Sequence, residues 1–287
     1  MRKYLGLALM GFLVILLSTG LFSPTVAQET ARQLWSAHQS DRPIPTPIIA
    51  HNPEVPVTGK AVTYGTINGK PITGYLATPS QKTTALPAII VIHEWWGLND
   101  NIKKMTQNLA GQGYTALAVD VYGGKVADNP DMAMKLVTEA LKSPEIIKDN
   151  LSQAYTYLQQ EQKAPKIASI GWCFGGRLSL DTALLFPKDL DAAVIYYGAN
   201  METSPDKLKT LQMPILGIFA QLDKNPPVTT VKQFDTTLKT LGKPAEIYIY
   251  PNVNHAFANP SGMNYNAEAA EDAWHKTTVF LEKHLKN

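Results

Sequence analysis

The sequence predicts an α/β domain in which a mostly parallel central sheet carries helices on both of its faces. Short apolar runs, typical of buried strands, alternate along the chain with helix-like segments. The run Ala88–Ile92 is apolar at every position, as expected of a strand whose two faces are both covered. Strands that alternate with helices in this way favour parallel pairing through helical crossovers.

The predicted elements follow one another in a regular order. The predicted strands cover residues 62–66, 73–77, 88–92, 115–119, 167–170, 192–197, 214–220 and 245–250. The predicted helices cover residues 101–111, 132–141, 145–162, 177–185, 228–241 and 267–285. The first two strands are expected to form a hairpin, because the pair Asn68-Gly69 between them favours a tight turn. The last helix has a largely apolar stripe, formed by Ala270, Trp274, Thr277, Leu281 and Leu285.

The only cysteine of the chain, Cys173, occupies a motif that indicates a catalytic nucleophile. It lies in Gly-Trp-Cys-Phe-Gly-Gly at 171–176, between a predicted strand and a predicted helix. This is a G-x-C-x-G form of the nucleophile elbow, in which small residues permit a tight turn that exposes one side chain near backbone N–H donors. The alternative is a small buried hydrophobic residue, as most free cysteines are.

Two further residues follow predicted strands, where the reactive groups of such sheets collect. Asp223 follows strand 214–220, and His255 follows strand 245–250. The order nucleophile, acid, base is that of α/β hydrolases. The imidazole would take the thiol proton, and the carboxylate would orient the imidazole. Alternatives stay open: Asp223 as a helix cap, Asp120 as the acid, and His255 as a structural loop histidine.

The loop after Ala88–Ile92 is the expected source of the second oxyanion donor. The backbone N–H groups of Trp95 and Phe174 are the candidates. Glu94 beside a thiol would disfavour the thiolate or accept a hydrogen bond from the neutral thiol, unless it is a solvated loop carboxylate. A zinc-binding H-E-x-x-H motif is excluded because Gly97 stands at its second histidine position. The sequence has no phosphate loop and no G-x-G-x-x-G, so no metal and no cofactor are expected.

With these motifs the chain resembles the dienelactone hydrolase family of α/β hydrolases from about residue 59 to residue 285. The resemblance rests on His93-Glu94-Trp95-Trp96-Gly97, Asp120-Val121-Tyr122, the elbow at 171–176, Asp223 and His255-Ala256-Phe257. It implies an α/β-hydrolase fold and hydrolysis of an ester or enol-lactone through a thioester, with Cys173, Asp223 and His255 as the triad. It also implies that Glu94 keeps the resting thiol protonated.

The chain departs from this family at the positions where members that cleave dienelactones carry arginines for the substrate carboxylate. Gly124 and Asn259 stand at those positions. Asparagine cannot reproduce the arginine fork, and the nearby cations Lys125 and Arg177 do not occupy the matching places. The family's fold and triad are therefore expected here, and its named substrate is not.

The N-terminus has the pattern of a secretory signal peptide. Arg2 and Lys3 precede an apolar run over residues 5–17, and small residues lead to Ala27. We expect a signal peptide over residues 1–27 with cleavage after Ala27. The alternative is an uncleaved membrane anchor, although the apolar run is short for a span.

The remaining chain divides into a proline-rich segment, 28–58, and an α/β-hydrolase domain, 59–287. We expect the mature protein to be exported, without a stable membrane span, and to act as a monomer. A lone thiol in an oxidising compartment is either buried and inert or retained for use. The net charge of +2, with no basic block, argues against a nucleic-acid partner.

These features favour an exported thiol hydrolase, a carboxylesterase acting on a small ester or lactone. The alternative from another class is a non-catalytic protein that binds small molecules in a hydrolase pocket. The complete set of three aligned groups argues against it. A redox role for Cys173 is disfavoured because the chain has no resolving cysteine.

Overall fold

The computed structural model describes residues 52–81 and 84–287, together with residues 32, 35 and 36. The predicted signal peptide and most of the proline-rich segment lie outside the described residues. Within the described part, no helix has the length and apolar character needed to cross a bilayer. Contacts between described residues join the proline-rich segment to the domain. Trp35 donates a hydrogen bond of 3.0 Å to Asp131, and Pro53 packs so closely on Gly111 that a Cβ there would lie 2.6 Å away.

Eight strands of the described chain form one sheet. They are β1 (Val57–Ile67), β2 (Lys70–Pro79), β3 (Ala88–Ile92), β4 (Thr115–Val119), β5 (Ile167–Trp172), β6 (Ala192–Tyr196), β7 (Ile215–Ala220) and β8 (Ala245–Tyr250). Their order across the sheet is β1-β2-β4-β3-β5-β6-β7-β8. β2 runs antiparallel to both of its neighbours, and all pairs from β4 to β8 are parallel. The mostly parallel sheet predicted from the sequence is confirmed.

Helices connect these strands and cover the sheet. They are α1 (Asp100–Gly111), α2 (Pro130–Leu141), α3 (Pro144–Gln160), α4 (Phe174–Leu185), α5 (Pro205–Leu208), α6 (Val228–Thr240) and α7 (Ala267–Leu285). Every residue of β3, β4 and β6 is buried, so both faces of the central sheet are covered. The sequence did not predict the single turn α5, and it placed the start of α4 three residues too late.

Local chemistry explains the predicted hairpin between β1 and β2. Asn68 and Gly69 both have positive φ angles, of 50° and 73°. This is the backbone of a two-residue primed turn, whose twist matches that of the flanking strands. The pairing of Ile67 with Lys70 directly beside the turn confirms the predicted hairpin.

The last helix packs along the sheet through the face that its stripe predicted. All five stripe residues are buried. The Tyr196 hydroxyl at the end of β6 adds polar contacts, lying 3.0 Å from the Ala273 carbonyl oxygen and 2.6 Å from the Thr277 hydroxyl oxygen. This packing anchors the strand end that leads into the candidate site.

Candidate active site

Cys173 occupies a strained turn between β5 and α4. Its φ and ψ angles are 57° and −116°, a conformation that residues with a side chain rarely adopt. Backbone hydrogen bonds maintain the turn: the Cys173 N–H donates to the Tyr196 carbonyl at 3.0 Å, and its own carbonyl accepts from Arg177 and Ala199. The structure thus confirms the strand-turn-helix context predicted for the elbow, with α4 beginning at the very next residue.

Glycines around Cys173 allow three backbones to approach one another. A Cβ on Gly171 would lie 2.1 Å from the Gly175 carbonyl oxygen. A Cβ on Gly175 would lie 2.3 Å from the Ile92 carbonyl oxygen, and one on Gly176 would lie 2.3 Å from that of Tyr196. Because these neighbours are backbone atoms, they cannot move aside as a flexible side chain could. Only glycine allows α4 to pack so tightly against β3 and β6.

The structure brings the three candidate triad residues together. His255 Nδ1 lies 2.6 Å from Asp223 Oδ2, and the two side chains are only 4% and 1% exposed. The second carboxylate oxygen, Asp223 Oδ1, accepts a hydrogen bond from the Asn225 N–H at 2.7 Å. This contact holds the carboxylate plane towards the imidazole. Asp223 therefore does not act as the cap of α6, whose N-cap is Pro227.

The pKa of His255 is influenced by burial and by two neighbouring groups, Asp223 and Cys173. Burial by itself would lower the pKa of His255. The negative charges of Asp223 and Cys173, together with hydrogen bonds to both side chains, outweigh burial and raise the pKa well above its usual value. These charges favour the protonated imidazole, so His255 is suited to accept the proton that Cys173 releases when the thiol ionises.

The loop that carries His255 is held in a defined shape. Asn252 and Ala256 adopt positive φ angles of 57° and 60° on either side of the histidine. The Asn264 side chain donates to the His255 carbonyl at 3.0 Å, and the Tyr197 ring lies 5.0 Å from the imidazole. These contacts fix the imidazole between its two partners.

The two candidate oxyanion donors flank the elbow. Ile92 at the end of β3 pairs in register with Gly171, so the loop containing Trp95 begins beside Cys173. Trp95 is fully buried, and its ring lies 4.9 Å from that of Trp96. Phe174 is the first residue of α4, where N–H groups have no partner within the helix. A helix start of this kind suits the binding of a developing negative charge.

Glu94 is buried, so its interpretation as a solvated loop carboxylate is wrong. Its side chain is only 3% exposed, and Oε2 accepts a hydrogen bond of 2.7 Å from Asn259 Nδ2. The side-chain oxygen of the same amide, Asn259 Oδ1, accepts hydrogen bonds from the Asn101 side chain and from both the N–H and the hydroxyl of Ser261. The residue at one of the family's arginine positions thus positions Glu94, a relation that sequence spacing could not reveal.

Asp120, the alternative candidate for the triad acid, forms hydrogen bonds with the backbone of its own loop. Its carboxylate accepts hydrogen bonds from the backbone N–H groups of Tyr122, at 2.8 Å, and of Gly124. The Asp120 carbonyl oxygen accepts from the Asn150 side chain. Asp120 therefore stabilises the turn after β4, and Gly124, at the family's other arginine position, is part of that turn with a φ of 86°.

The two cations considered as substitutes for those arginines form ion pairs with other side chains. Lys125 lies 3.8 Å from Glu139, and Arg177 lies 3.6 Å from Asp181. The Lys125 side chain is 60% exposed. Neither geometry indicates a cation committed to a substrate carboxylate.

Comparison with known proteins identifies the family. A model described as the dienelactone hydrolase family matches residues 72–285. The chain belongs to the dienelactone hydrolase family. It is 35% identical over 225 residues to protein usf of Aquifex pyrophilus, an alignment that covers 76% of this chain and 96% of that protein. It is 34% identical over 226 residues, with the same coverage, to an Aquifex aeolicus protein named as a candidate carboxymethylenebutenolidase.

Solved structures agree with this assignment. A crystal structure of a candidate dienelactone hydrolase from Klebsiella pneumoniae superimposes with a TM-score of 0.71 at 25% identity. The match covers 79% of this chain and 99% of that one. The α/β-hydrolase fold and the family resemblance deduced from the sequence are therefore confirmed, and the chain is a hydrolase of the dienelactone hydrolase type.

Proposed function

We propose that this protein hydrolyses a small ester or lactone by nucleophilic catalysis through an acyl-enzyme, with Cys173, His255 and Asp223 as the triad. The observation that carries this proposal is the buried contact of 2.6 Å between His255 Nδ1 and Asp223 Oδ2, in an imidazole whose pKa is raised by Asp223 and also by Cys173. This contact supports an orienting acid paired with a base, the arrangement that activates a nucleophile.

The proposed reaction begins with attack of the Cys173 thiolate on the carbonyl carbon of the substrate. Because Nδ1 of His255 is held by Asp223, Nε2 exchanges the proton with Cys173. The tetrahedral intermediate collapses as the C–O bond to the leaving group breaks, and the imidazolium protonates that oxygen. A water molecule, deprotonated by the neutral imidazole, then cleaves the thioester and releases the acid.

The Trp95 and Phe174 N–H groups are the proposed donors to the oxyanion of both tetrahedral intermediates. Support comes from the position of Phe174 at the first turn of α4 and from the entry of the Trp95 loop beside the elbow. Donors that are fixed in place before the reaction stabilise the developing charge without reorganisation.

For Glu94 we propose a regulatory role, in which its carboxylate favours the neutral thiol until substrate enters. Support comes from its burial and from the position of its loop: Ile92 pairs in register with Gly171, and a Cβ on Gly175 would lie 2.5 Å from the carbonyl oxygen of His93, the residue before Glu94. A negative charge near Cys173 disfavours the thiolate, and a neutral thiol resists oxidation better. That protection would suit an exported protein, a location that we propose from the N-terminal signal pattern.

Active-site variants test the proposed chemistry. We expect wild-type protein to hydrolyse 4-nitrophenyl acetate or an enol-lactone, and Cys173→Ala to lower kcat by about 10⁴-fold or more. Cys173→Ser should retain part of the activity, because the hydroxyl occupies the same position. Mass spectrometry of quenched reactions should detect the acyl group on the peptide that contains Cys173.

Equal turnover by wild type and Cys173→Ala would contradict this function. If no ester is hydrolysed and small acids nevertheless raise the melting temperature, the protein is a binding protein on a hydrolase scaffold. Thermal unfolding of each variant is the control, since Cys173 is buried and its replacement could also change stability.

A further inference from the structure

Tyr197 lies beside the nucleophile, although sequence analysis gave it no role. It directly follows β6, whose last residue, Tyr196, pairs in register with Trp172. Tyr197 is therefore level with Cys173 across the sheet. Its N–H donates to the Ile218 carbonyl at 2.7 Å, and its φ is 35°. A positive φ is rare for a bulky residue and stores strain that the neighbouring backbone must maintain.

The Tyr197 hydroxyl is buried without a hydrogen-bond partner in the described part of the chain. The side chain is fully inaccessible, and its ring lies 5.0 Å from that of His255 and 5.8 Å from that of Phe257. Burial first, and then the charges of Glu94 and Cys173, raise the pKa of Tyr197 well above its usual value. The hydroxyl therefore stays neutral and able to donate.

The unpaired hydroxyl and the positive φ both lower the stability of the fold, so stability does not explain a tyrosine at position 197. Phenylalanine would fill the same apolar space without burying a polar group that lacks a partner, which costs free energy. The strained backbone adds a second cost at the same residue. Tyr197 therefore combines a strained backbone, a buried hydroxyl without a partner in the described chain and a ring beside His255, features that suit a hydrogen-bond donor to a bound molecule.

We propose that the Tyr197 hydroxyl donates a hydrogen bond to an uncharged oxygen atom in the acyl part of the substrate. The inference rests on the proposed ester hydrolysis and specifies its substrate class. An ether, hydroxyl or carbonyl oxygen accepts from a neutral phenol, whereas a carboxylate there would face the negative charges of Glu94 and Cys173. The site thus selects neutral esters or lactones with an oxygen atom near the scissile carbonyl.

A pair of nearly isosteric esters tests this inference. 4-Nitrophenyl methoxyacetate differs from 4-nitrophenyl butyrate by one ether oxygen in place of a methylene group. We expect Tyr197→Phe to lower kcat/KM for the methoxyacetate by about 5- to 10-fold and for the butyrate by less than about 2-fold. Comparing each variant with wild type cancels the difference in intrinsic reactivity between the two esters.

Tyr114→Phe is the matched control. Tyr114 also has a buried hydroxyl without a partner in the described chain, but it lies under Lys286, whose Nζ is 4.9 Å from its ring. This variant should change neither rate. The melting temperature of Tyr197→Phe should equal or exceed that of wild type, because the variant removes an unpaired buried hydroxyl.

A comparison of a charged substrate with an uncharged one provides a second test of the inference. The methyl ester of 4-nitrophenyl hemisuccinate should be hydrolysed about 10-fold faster, in kcat/KM, than the free hemisuccinate. A preference for the free acid, an equal loss on both members of the ester pair, or no loss with Tyr197→Phe would overturn the inference.

Binding measurements separate this inference from the proposed reaction. If wild type hydrolyses none of these esters, the proposed function fails, and the amides methoxyacetamide and butyramide then report on Tyr197 directly. Tyr197→Phe should raise the Kd of methoxyacetamide by about 5- to 10-fold and leave the Kd of butyramide unchanged. Equal affinities of wild type and variant for methoxyacetamide would overturn the assignment.

Discussion

Asp223→Asn tests the contact on which the proposed mechanism depends. Asparagine has nearly the volume of aspartate but no charge, so the variant keeps the packing and removes the negative partner of His255. If the amide group turns its Nδ2 towards the imidazole, it also forces the wrong tautomer, with the proton on Nε2. His255 could then no longer take a proton from Cys173.

The expected magnitude follows from the burial and distance of the pair. The two side chains are 1% and 4% exposed and 2.6 Å apart, so solvent screens their interaction weakly. Removing one partner from a buried charged pair typically costs about 3 to 5 kcal/mol. If that loss falls on the transition state, kcat/KM decreases by about 150- to 5,000-fold.

The pH dependence gives an independent signature. Asp223 and Cys173 raise the pKa of His255 above its usual value. The protonated imidazole therefore contributes to the free energy of unfolding, and this contribution is complete at pH values below the ordinary histidine pKa. That contribution is lost as the pH rises through the raised pKa. In Asp223→Asn the pKa of His255 falls, so the alkaline limb of the kcat/KM profile should move to lower pH.

The assay is ester hydrolysis across pH, combined with thermal unfolding of the same samples. Asp120→Asn is the matched control: its carboxylate is also buried, but it accepts backbone hydrogen bonds in the turn after β4. We expect this control to lower the melting temperature and to leave the alkaline limb in place. A kcat/KM of Asp223→Asn within about 3-fold of wild type would refute the assignment of Asp223 as the triad acid.

Two further variants test the packing of the site. Gly175→Ala would place a Cβ 2.3 Å from the Ile92 carbonyl oxygen and should destabilise the fold by about 3 kcal/mol. In Gly69→Ala the new Cβ would have no neighbour within 4 Å, so the free energy of unfolding should fall by only about 1 kcal/mol, because of the positive φ at this position. Equal losses of stability for the two variants in urea unfolding would refute the close-approach argument. Asn259→Asp should set a second buried carboxylate against Glu94 and lower stability at pH 8 by about 3 kcal/mol. Because like charges raise the carboxyl pKa values, this deficit should shrink as the pH falls, and a deficit independent of pH would contradict the Glu94 contact.

Local signals in the sequence were sufficient for most of the sheet and for nominating the three candidate triad residues. The Asn68-Gly69 pair predicted its turn because few residues tolerate two successive positive φ angles. Cys173, Asp223 and His255 were predicted from their positions after strands, since all parallel strands present their carboxyl ends at one edge. The start of α4 was misplaced because Gly175 and Gly176 are poor helix formers, and their role is to allow close packing.

The contacts that decide how the site works depend on residues far apart in sequence. Glu94 and Asn259 are 165 residues apart, and Asp223 and His255 are 32 apart. No periodicity or spacing relates such pairs. A loop carboxylate such as Glu94 looks the same in a sequence whether it is solvated or buried, so its burial became apparent only in the folded chain.

The sequence by itself determined the fold class, the family and the three candidate catalytic residues, because strand periodicity, turn chemistry and the elbow motif are local properties. Tertiary structure alone decided which acid faces His255, what holds Glu94, and that Tyr197 buries a hydroxyl without a partner in the described chain while its ring lies beside His255. These outcomes depend on burial and on the distances between side chains from different strands, which arise only when the sheet assembles. The candidate nucleophile was recognisable from six consecutive residues, whereas its environment is built from five strand ends.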